Sequence, residues 1–262
     1  MLHELPFDEF HRALPLYADA PHSRPIIMAA FEGNHVARLF VDDIAQPTVA
    51  LLSCACGFIY PAGDLAGEAL KGEIRELILR EMPDGPFLFI SPLSEAWADV
   101  GSAMFVDLEV QRITRYAYEL APDRLERHAS CPPRLPEGFA LRPYDAATVQ
   151  AIPGMADFWG GIERFMAHGF GVGVFHGDAL VSHCHTFLVG DGCAEAEAGT
   201  EEAYRRQGLA TLACRAFIEE ALARGLRPTW SCWFNNEASV ALAEKVGFVR
   251  QSDVPMLFAR LS

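Results

Sequence analysis

Two carboxylates two residues apart, Glu195 and Glu197, stand in an alanine-rich run, Cys193-Ala194-Glu195-Ala196-Glu197-Ala198-Gly199-Thr200. In a strand, side chains at that spacing share one face. A carboxylate placed there can serve as a general base. The flanking alanines give Glu195 an apolar setting suited to a base, with Glu197 behind it; a plain solvated face is the alternative for both. His183 and His185, in His183-Cys184-His185, are the fallback bases. Their spacing also tempts a metal reading, but no acidic or cysteine partner stands at ligand spacing, so no metal is expected.

A few residues on comes Arg205-Arg206-Gln207-Gly208-Leu209-Ala210. A glycine-containing turn that opens a helix leaves backbone N–H groups without partners, and with the helix dipole these form an anion site. Gly208 lets the backbone approach a pyrophosphate, and the small Ala210 keeps the passage open. Taken alone, the same pattern also starts an ordinary helix with an exposed arginine pair. One helix and one strand later, Asn236 opens a second helix as its N-cap. That helix carries Ser239, stops at Gly247 and re-enters a strand through Phe248. The two segments together suggest a protein that grips a phosphate-bearing cofactor and works on something beside it.

The elements that must position these groups are legible around them. A meander is expected over Gly169–His176, Leu180–Val189 and Cys193–Thr200, with tight turns at Gly177-Asp178 and Asp191-Gly192. A helix follows from about Gln207 to Ala223, with Gly225 where a C′ glycine belongs. A strand at Thr229–Phe234, the Asn236 helix and two closing strands, Phe248–Gln251 and Pro255–Arg260, complete this half. Its front carries a strand from Phe139, a helical stretch interrupted at Pro153-Gly154, and a short helix at Ile162–His168. The N-terminal half reads as mixed α/β. It has helices within Phe7–Phe31, strands at Val36–Val41 and Thr48–Tyr60, the latter ended by Pro61-Ala62-Gly63-Asp64, and a helix at Gly67–Met82. A strand at Phe87–Ile90, a helix at Leu93–Met104 and a strand at Ile113–Leu120 close it. The proline-rich stretch from Ala121 to Gly138 marks a boundary between domains 1–125 and 126–262.

The chain has 262 residues, half of them apolar, and a formal net charge of −14. That acidity argues against nucleic acid, whose phosphates need Lys and Arg. The N-terminus lacks a basic segment followed by an apolar run, and the stretch Pro47–Gly63 is too short to span a membrane. A cytoplasmic protein without a membrane partner is expected. The seven cysteines are odd in number and include no C-x-x-C pair, so neither a disulfide framework nor a zinc ribbon is supported. Cys54 and Cys56 read as small buried hydrophobes on one strand face.

The paired segments resemble the GNAT superfamily of acyl-CoA-dependent N-acetyltransferases. Arg205-x-x-Gly208-x-Ala210 is similar to its pyrophosphate signature, and Asn236-x-x-Ser239-x-x-Leu242-x-Glu244-Lys245-x-Gly247-Phe248 to its C-terminal motif. The likeness covers about Phe139 to Leu261. The whole chain also resembles a two-domain bacterial subgroup in which a smaller, divergent α/β domain precedes the catalytic one. The fold implied is α/β, with a GNAT-like mixed sheet flanked by helices in the C-terminal half. The resemblance implies acetyl-CoA as co-substrate, held by Ala198, Gly199, Thr200, Arg205, Arg206, Gln207, Gly208, Leu209, Ala210, Thr211, Asn236 and Ser239. It has the strands at Cys193–Thr200 and Thr229–Phe234 splay apart around the pantetheine arm, and Ala198 or Gly199 offer the N–H that polarises the thioester, with Gly199 suited to a bulge. Glu195 stands at the family's offset for a base. The acceptor implied is a small-molecule or peptide amine, and the N-terminal half could shape its pocket or serve in a homodimer.

One position departs from the pattern. The tyrosine that commonly protonates the departing thiolate falls at Ala243 here; Ser239, Ser231 or Cys232 could substitute. The departure keeps a second function open, a non-catalytic acyl-CoA-binding or regulatory module.

Overall fold

The structure, a computed structural model, describes residues 1–20, 23–64, 68–81, 87–121 and 134–260. They fall into two compact units, residues 1–115 together with the chain from Val254 onward, and residues 116–253.

In the first unit, strand β1 (His3–Leu5) leads through two 3-10 turns, Phe7–Arg12 and Leu14–Tyr17, into helix α1 (Arg24–Phe31). Strands β2 (Ala37–Val41), β3 (Val49–Cys54) and β4 (Phe58–Gly63) follow, then α2 (Glu68–Glu81), β5 (Phe87–Ile90) and α3 (Glu95–Met104). The strands lie in the order β1–β2–β3–β4–β5, antiparallel except for the parallel β4–β5 pair. Beside β5 comes the end of the chain's last strand, where Leu257 pairs with Ile90. The buried face of α2 carries Ile74, Leu77 and Ile78, which pack with Leu51, Ile59, Trp97 and Phe105. Met82, the last residue expected in this helix, lies outside the described residues.

The stretch read as a single strand over Thr48–Tyr60 is a hairpin. The chain turns at Ala55-Cys56-Gly57, with Gly57 in the left-handed region (φ 83°) and its N–H on the Cys54 carbonyl at 2.9 Å. Pro61 and Gly63, expected to end a strand, continue β4. Apolar residues fill both limbs, so hydrophobicity alone does not reveal a turn whose only punctuation is Gly57.

The second unit begins within β6 (Gln111–Leu120), and its later strands are β7 (Phe139–Pro143), β8 (Gly171–His176), β9 (Ala179–Gly190), β10 (Cys193–Thr200) and β11 (Arg227–Trp233). The last strand, β12 (Phe248–Arg260), starts here beside β6. Their order is β12–β6–β11–β10–β9–β8–β7. Between β7 and β8 lie α4 (Ala146–Ala151), α5 (Met155–Trp159) and α6 (Ile162–His168). The break at Pro153-Gly154 falls where it was expected, with Gly154 at φ 75°. The proline-rich connector is outside the described residues from 122 to 133. The two closing strands are one, running straight through Pro255, whose fixed φ is compatible with extended chain.

Helix α7 (Leu209–Ala223) is the spine of this unit. Gly225 (φ 73°) gives its N–H to Leu222, and Leu226 gives its own to Ala221 at 2.9 Å. This pair of bonds is the Schellman closure that the glycine predicts. Leu209, Ala213, Phe217 and Ala221 are buried along one face. Phe217 is fully buried and stacks on Phe170 with ring centroids 4.9 Å apart. Truncating it leaves a cavity between helix and sheet, so Phe217→Ala is expected to destabilise the protein by about 3–5 kcal/mol. A urea unfolding series followed by tryptophan fluorescence checks this; an unchanged midpoint would remove α7 from the role of spine.

Candidate active site

The meander turns match their residues: Asp191 (φ 55°) and Gly192 (φ 66°) both sit in the left-handed region, as a two-residue hairpin loop requires. They deliver β10 into the centre of the second unit. There β10 pairs antiparallel with β9 along its whole length, and parallel with β11 from Cys193–Arg227 only as far as Ala196–Trp230. Beyond that point β10 continues to Thr200 and β11 to Trp233 with no ladder between them among the described residues. The two strands part.

Register decides which groups face the gap. Thr186 sends its N–H to Phe170 and Glu201 sends its N–H to Val181, each at 2.9 Å. In an antiparallel ladder the backbone groups alternate sides. Glu197 and Gly199 therefore turn theirs to β9, whereas Ala196, Ala198 and Thr200 turn theirs toward β11. Of the two residues considered for an N–H in the gap, Ala198 has the orientation and Gly199 does not.

The irregularity expected at Gly199 lies elsewhere. Register slips between Glu195 and Ala196, where Leu188 and Thr186 are the successive partners and Phe187 is the extra residue. Gly199 is needed for another reason: a Cβ there would sit 2.8 Å from both Cε1 and Nε2 of His183. The imidazole occupies the space a side chain would take.

The face of the sheet that carries Glu195 and Glu197 also carries His183 and His185, since directly paired residues project together. The Ser231 hydroxyl donates to the Glu195 carboxylate. Glu197 is about half exposed, and its carboxylate lies 3.6 Å from His185 Nε2. Burial, and then the neighbouring His185, push His183 down from its ordinary value of 6.5 to about 4, against a smaller upward pull from Glu197. The imidazole is thus neutral at physiological pH. Tyr144, which had no place in the sequence reading, stands next to His185 with ring centroids 5.8 Å apart. Burial pushes its phenol far up. Its hydroxyl and His185 Nδ1 are both buried without hydrogen-bond partners among the described residues. A carbon at Gly171 would lie 2.7 Å from both of these side chains, so that glycine is what lets them close up.

At the end of β10 the chain makes a 3-10 turn at Glu202–Tyr204 and enters the arginine segment. Arg205 Nε donates to the Thr200 carbonyl at 3.2 Å, pinning the loop to the strand end. Tyr204 adds a second anchor, its hydroxyl 3.1 Å from His176 Nδ1. Arg206 (φ 63°) and Gly208 (φ 80°) both take the left-handed conformation. Such alternation folds successive N–H groups into a concave nest, and α7 begins at once with Leu209. The side chains of Leu209 and Thr211 are buried in the core, so they can offer only their backbone N–H groups here; Arg205, Arg206 and Gln207 are exposed.

On the other wall, helix α8 (Glu237–Lys245) is capped by Asn236, whose side chain accepts from the Ser239 N–H at 3.1 Å. The Ser239 hydroxyl accepts from Trp230 Nε1 at 3.0 Å, which ties α8 to the last rung of the β10–β11 ladder. Ala243 is wholly buried. Trp159 and Trp230 are core residues. Among the described residues no group of three or more His, Cys, Asp or Glu could hold a metal ion, and no helix is long and apolar enough to cross a membrane.

Sequence reasoning missed the Tyr204–His176 anchor, the His183–Gly199 contact and Tyr144. The first had a signal, an aromatic next to the arginine pair. The others depend on strand register.

Comparison with known proteins follows the same lines. A family model described as GNAT acetyltransferase matches residues 15–257. An uncharacterized N-acetyltransferase of Bacillus subtilis, YdfB, is 26% identical over 215 residues, which is 80% of this chain and 80% of that one. Among solved structures, a GCN5-related N-acetyltransferase-like protein from Streptococcus suis superposes with a TM-score of 0.72 at 24% identity, covering 97% of this chain and 98% of the other. A tandem GNAT protein from the clavulanic acid biosynthesis pathway does so with a TM-score of 0.64 at 15% identity, covering 99% and 98%. These likenesses show the fold, a mixed sheet with flanking helices, and the family match spans both halves of the sequence. The chain belongs to the GNAT acetyltransferase family.

Proposed function

We propose that the protein is an acetyl-CoA-dependent N-acetyltransferase that transfers the acetyl group directly to a primary amine of a small molecule or peptide. The observation that carries this reading is the parting of β10 and β11 beyond Ala196–Trp230, with the N–H nest of Arg206–Gly208 at its head. The nest fits a pyrophosphate: N–H groups of the first turn of α7 have no partner within the helix, and Arg205 and Arg206 flank them. Acetyl-CoA, when bound, supplies an acetyl group on a thiol leaving group. The Ala198 N–H faces the gap and would polarise the acyl carbonyl, acting as a preorganised donor. Thr200, Gln207 and the Asn236–Ser239 cap would line the approach, and Gly199 leaves room for His183.

Glu195 is the proposed base. Ser231 fixes its carboxylate on the face of the sheet beside the gap, a position from which it can accept the ammonium proton. Glu197 lies farther along the same face and would carry that proton to solvent. The neutral His183 does not add a positive charge that would repel a cationic acceptor. A division by origin between residues 125 and 126, distinct from the compact units, which divide after Arg115 and return at Val254, and a divergent N-terminal half belong to this same reading, as does a cytoplasmic setting without nucleic-acid partners. A homodimer built through the N-terminal half is compatible with it.

One observation favours a second reading, an acyl-CoA-binding module without turnover. Ala243 is buried and offers no acid where the family commonly has tyrosine. A thiolate can nevertheless leave unprotonated, so the first reading stands ahead.

Calorimetry with acetyl-CoA and CoA should show saturable binding. Gly208→Val, which forces a β-branched residue into a left-handed conformation, should weaken it by about tenfold, given a strain of about 1–3 kcal/mol. Absence of saturable binding to the native protein at millimolar ligand overturns both readings. A thiol-release screen over polyamines, amino acids, aminoglycosides and peptide N-termini then separates enzyme from binder. On an acceptor so found, Glu195→Gln should lower turnover by about 10²–10⁴-fold and flatten its acid limb while leaving CoA affinity intact; an unchanged pH profile would mean that another group is the base. Independently of any acceptor, NMR titration should find His183 with a value of about 4. Replacing His185 with Gln should raise it, because a like charge is removed; a His183 titrating near its ordinary value would show that the face is open to water.

A further inference from the structure

One row of residues crosses the second unit from its edge toward the gap. The Tyr144 N–H bonds to the Gly171 carbonyl at 2.8 Å, Gly171 pairs with His185, and His185 pairs with Glu197. Because Gly171 has no side chain, the Tyr144 ring closes over it against His185. Tyr144 also meets Phe165 of α6, with ring centroids 6.2 Å apart, and Phe165 meets Trp159 of α5 at 5.1 Å. The enclosure leaves Tyr144 only 8% and His185 only 7% exposed. Inside it stand two polar atoms that the acyl-transfer reading does not use. They are the Tyr144 hydroxyl oxygen and His185 Nδ1, neither with a hydrogen-bond partner among the described residues.

The two atoms are complementary. His185 Nε2 lies 3.6 Å from the Glu197 carboxylate. A lone pair turned toward a carboxylate is repelled, so Nε2 carries the hydrogen. In the neutral ring Nδ1 then keeps the lone pair and can only accept. The Tyr144 phenol keeps its hydrogen, since burial first, and then Cys184 and Glu197, disfavour its charged form. A buried donor and a buried acceptor in neighbouring side chains, not bonded to each other, are the setting in which an internal water is found.

We infer that one buried water joins the Tyr144 hydroxyl to His185 Nδ1, and that Tyr144 and His185 are thereby positioning residues for Glu197. The water accepts from the phenol and donates to Nδ1, which fixes the imidazole as its Nε2–H tautomer. That N–H holds the Glu197 carboxylate over the face of the sheet. Without the lock, the ring can place its hydrogen on Nδ1, and the bare Nε2 then drives Glu197 off the face. The other titratable group against this imidazole is His183, with ring centroids 5.2 Å apart. It is neutral at physiological pH and does not compete as a cation for the carboxylate. The catalytic consequence rests on the proposed role of Glu197 in carrying the proton of Glu195 to solvent. The water and the tautomer do not depend on that role.

The test begins with the unliganded full-length protein. A high-resolution crystal structure should show one water within hydrogen-bond distance of both Tyr144 Oη and His185 Nδ1. Imidazole nitrogen NMR in alkaline buffer, where the ring is neutral, should show the Nε2–H tautomer alone, the signal being assigned by its loss in His185→Gln. Tyr144→Phe fills the same space without a donor. Circular dichroism should find it folded, and the tautomers should become mixed; a packing role alone would leave the NMR unchanged. On an acceptor from the thiol-release screen, Tyr144→Phe should lower kcat by about threefold to tenfold, the worth of one hydrogen bond, with KM for acetyl-CoA unchanged. No water between the two atoms, an Nδ1–H tautomer in the native protein, or an unchanged tautomer in folded Tyr144→Phe overturns the inference. An unchanged kcat overturns the positioning role. Failure to bind CoA would instead overturn the acyl-transfer reading, and the crystal structure and NMR would still decide on the water and the lock.

Discussion

The second unit depends on one ladder that stops early. Strands β10 and β11 run parallel and bonded for four rungs and then separate after Ala196–Trp230. A strand end left without a partner inside a sheet would ordinarily be costly, because backbone N–H and C=O groups require hydrogen bonds. Here β10 remains fully paired on its other side with β9, so only its side toward β11 is left open. The ladder's last rung is also where α8 is fastened, through Trp230 and Ser239. The resulting gap offers the backbone groups of Ala198 and the N–H of Thr200, whose carbonyl is held by Arg205, for a ligand that can itself pair with a strand.

The head of the gap is built by conformation more than by charge. The chain carries a formal net charge of −14, and a phosphate-bearing ligand approaches a molecule that repels it at long range. Screening shortens that repulsion to about 8 Å at physiological salt. Within that distance the local groups decide, namely Arg205, Arg206 and the N–H groups aimed by the left-handed residues Arg206 and Gly208. Pinning of the loop by Arg205 on Thr200 and by Tyr204 on His176 means that little ordering is left to do on binding. Pre-organisation of this kind lowers the entropic cost of the grip.

What was legible in the sequence was local. Gly225, Asn236 and the Asp191-Gly192 turn each declare themselves through backbone chemistry that spans only a few residues, and each does in the structure what its type predicts. The helical interruption at Pro153-Gly154 belongs to the same class. Register was not legible. A slip of one residue moves every side chain to the opposite face, and nothing in a single strand states its partner's alignment. For that reason the choice between Ala198 and Gly199, the Ser231–Glu195 bond and the packing of His183 over Gly199 all waited for the fold. The hairpin at Cys56 was hidden by uniform hydrophobicity, and the continuity of β12 by a proline that an extended strand tolerates. Ala243 was visible as a departure in the sequence; its complete burial gives that departure a structural meaning.

The most direct measurement is a crystal structure of the protein with CoA. The account predicts the pantetheine arm lying between β10 and β11 beyond Ala196–Trp230, with an acceptor for the Ala198 N–H and the pyrophosphate against Gly208, Leu209 and Ala210. CoA bound anywhere else, or bound there with β10 and β11 closed into a continuous ladder, would contradict it.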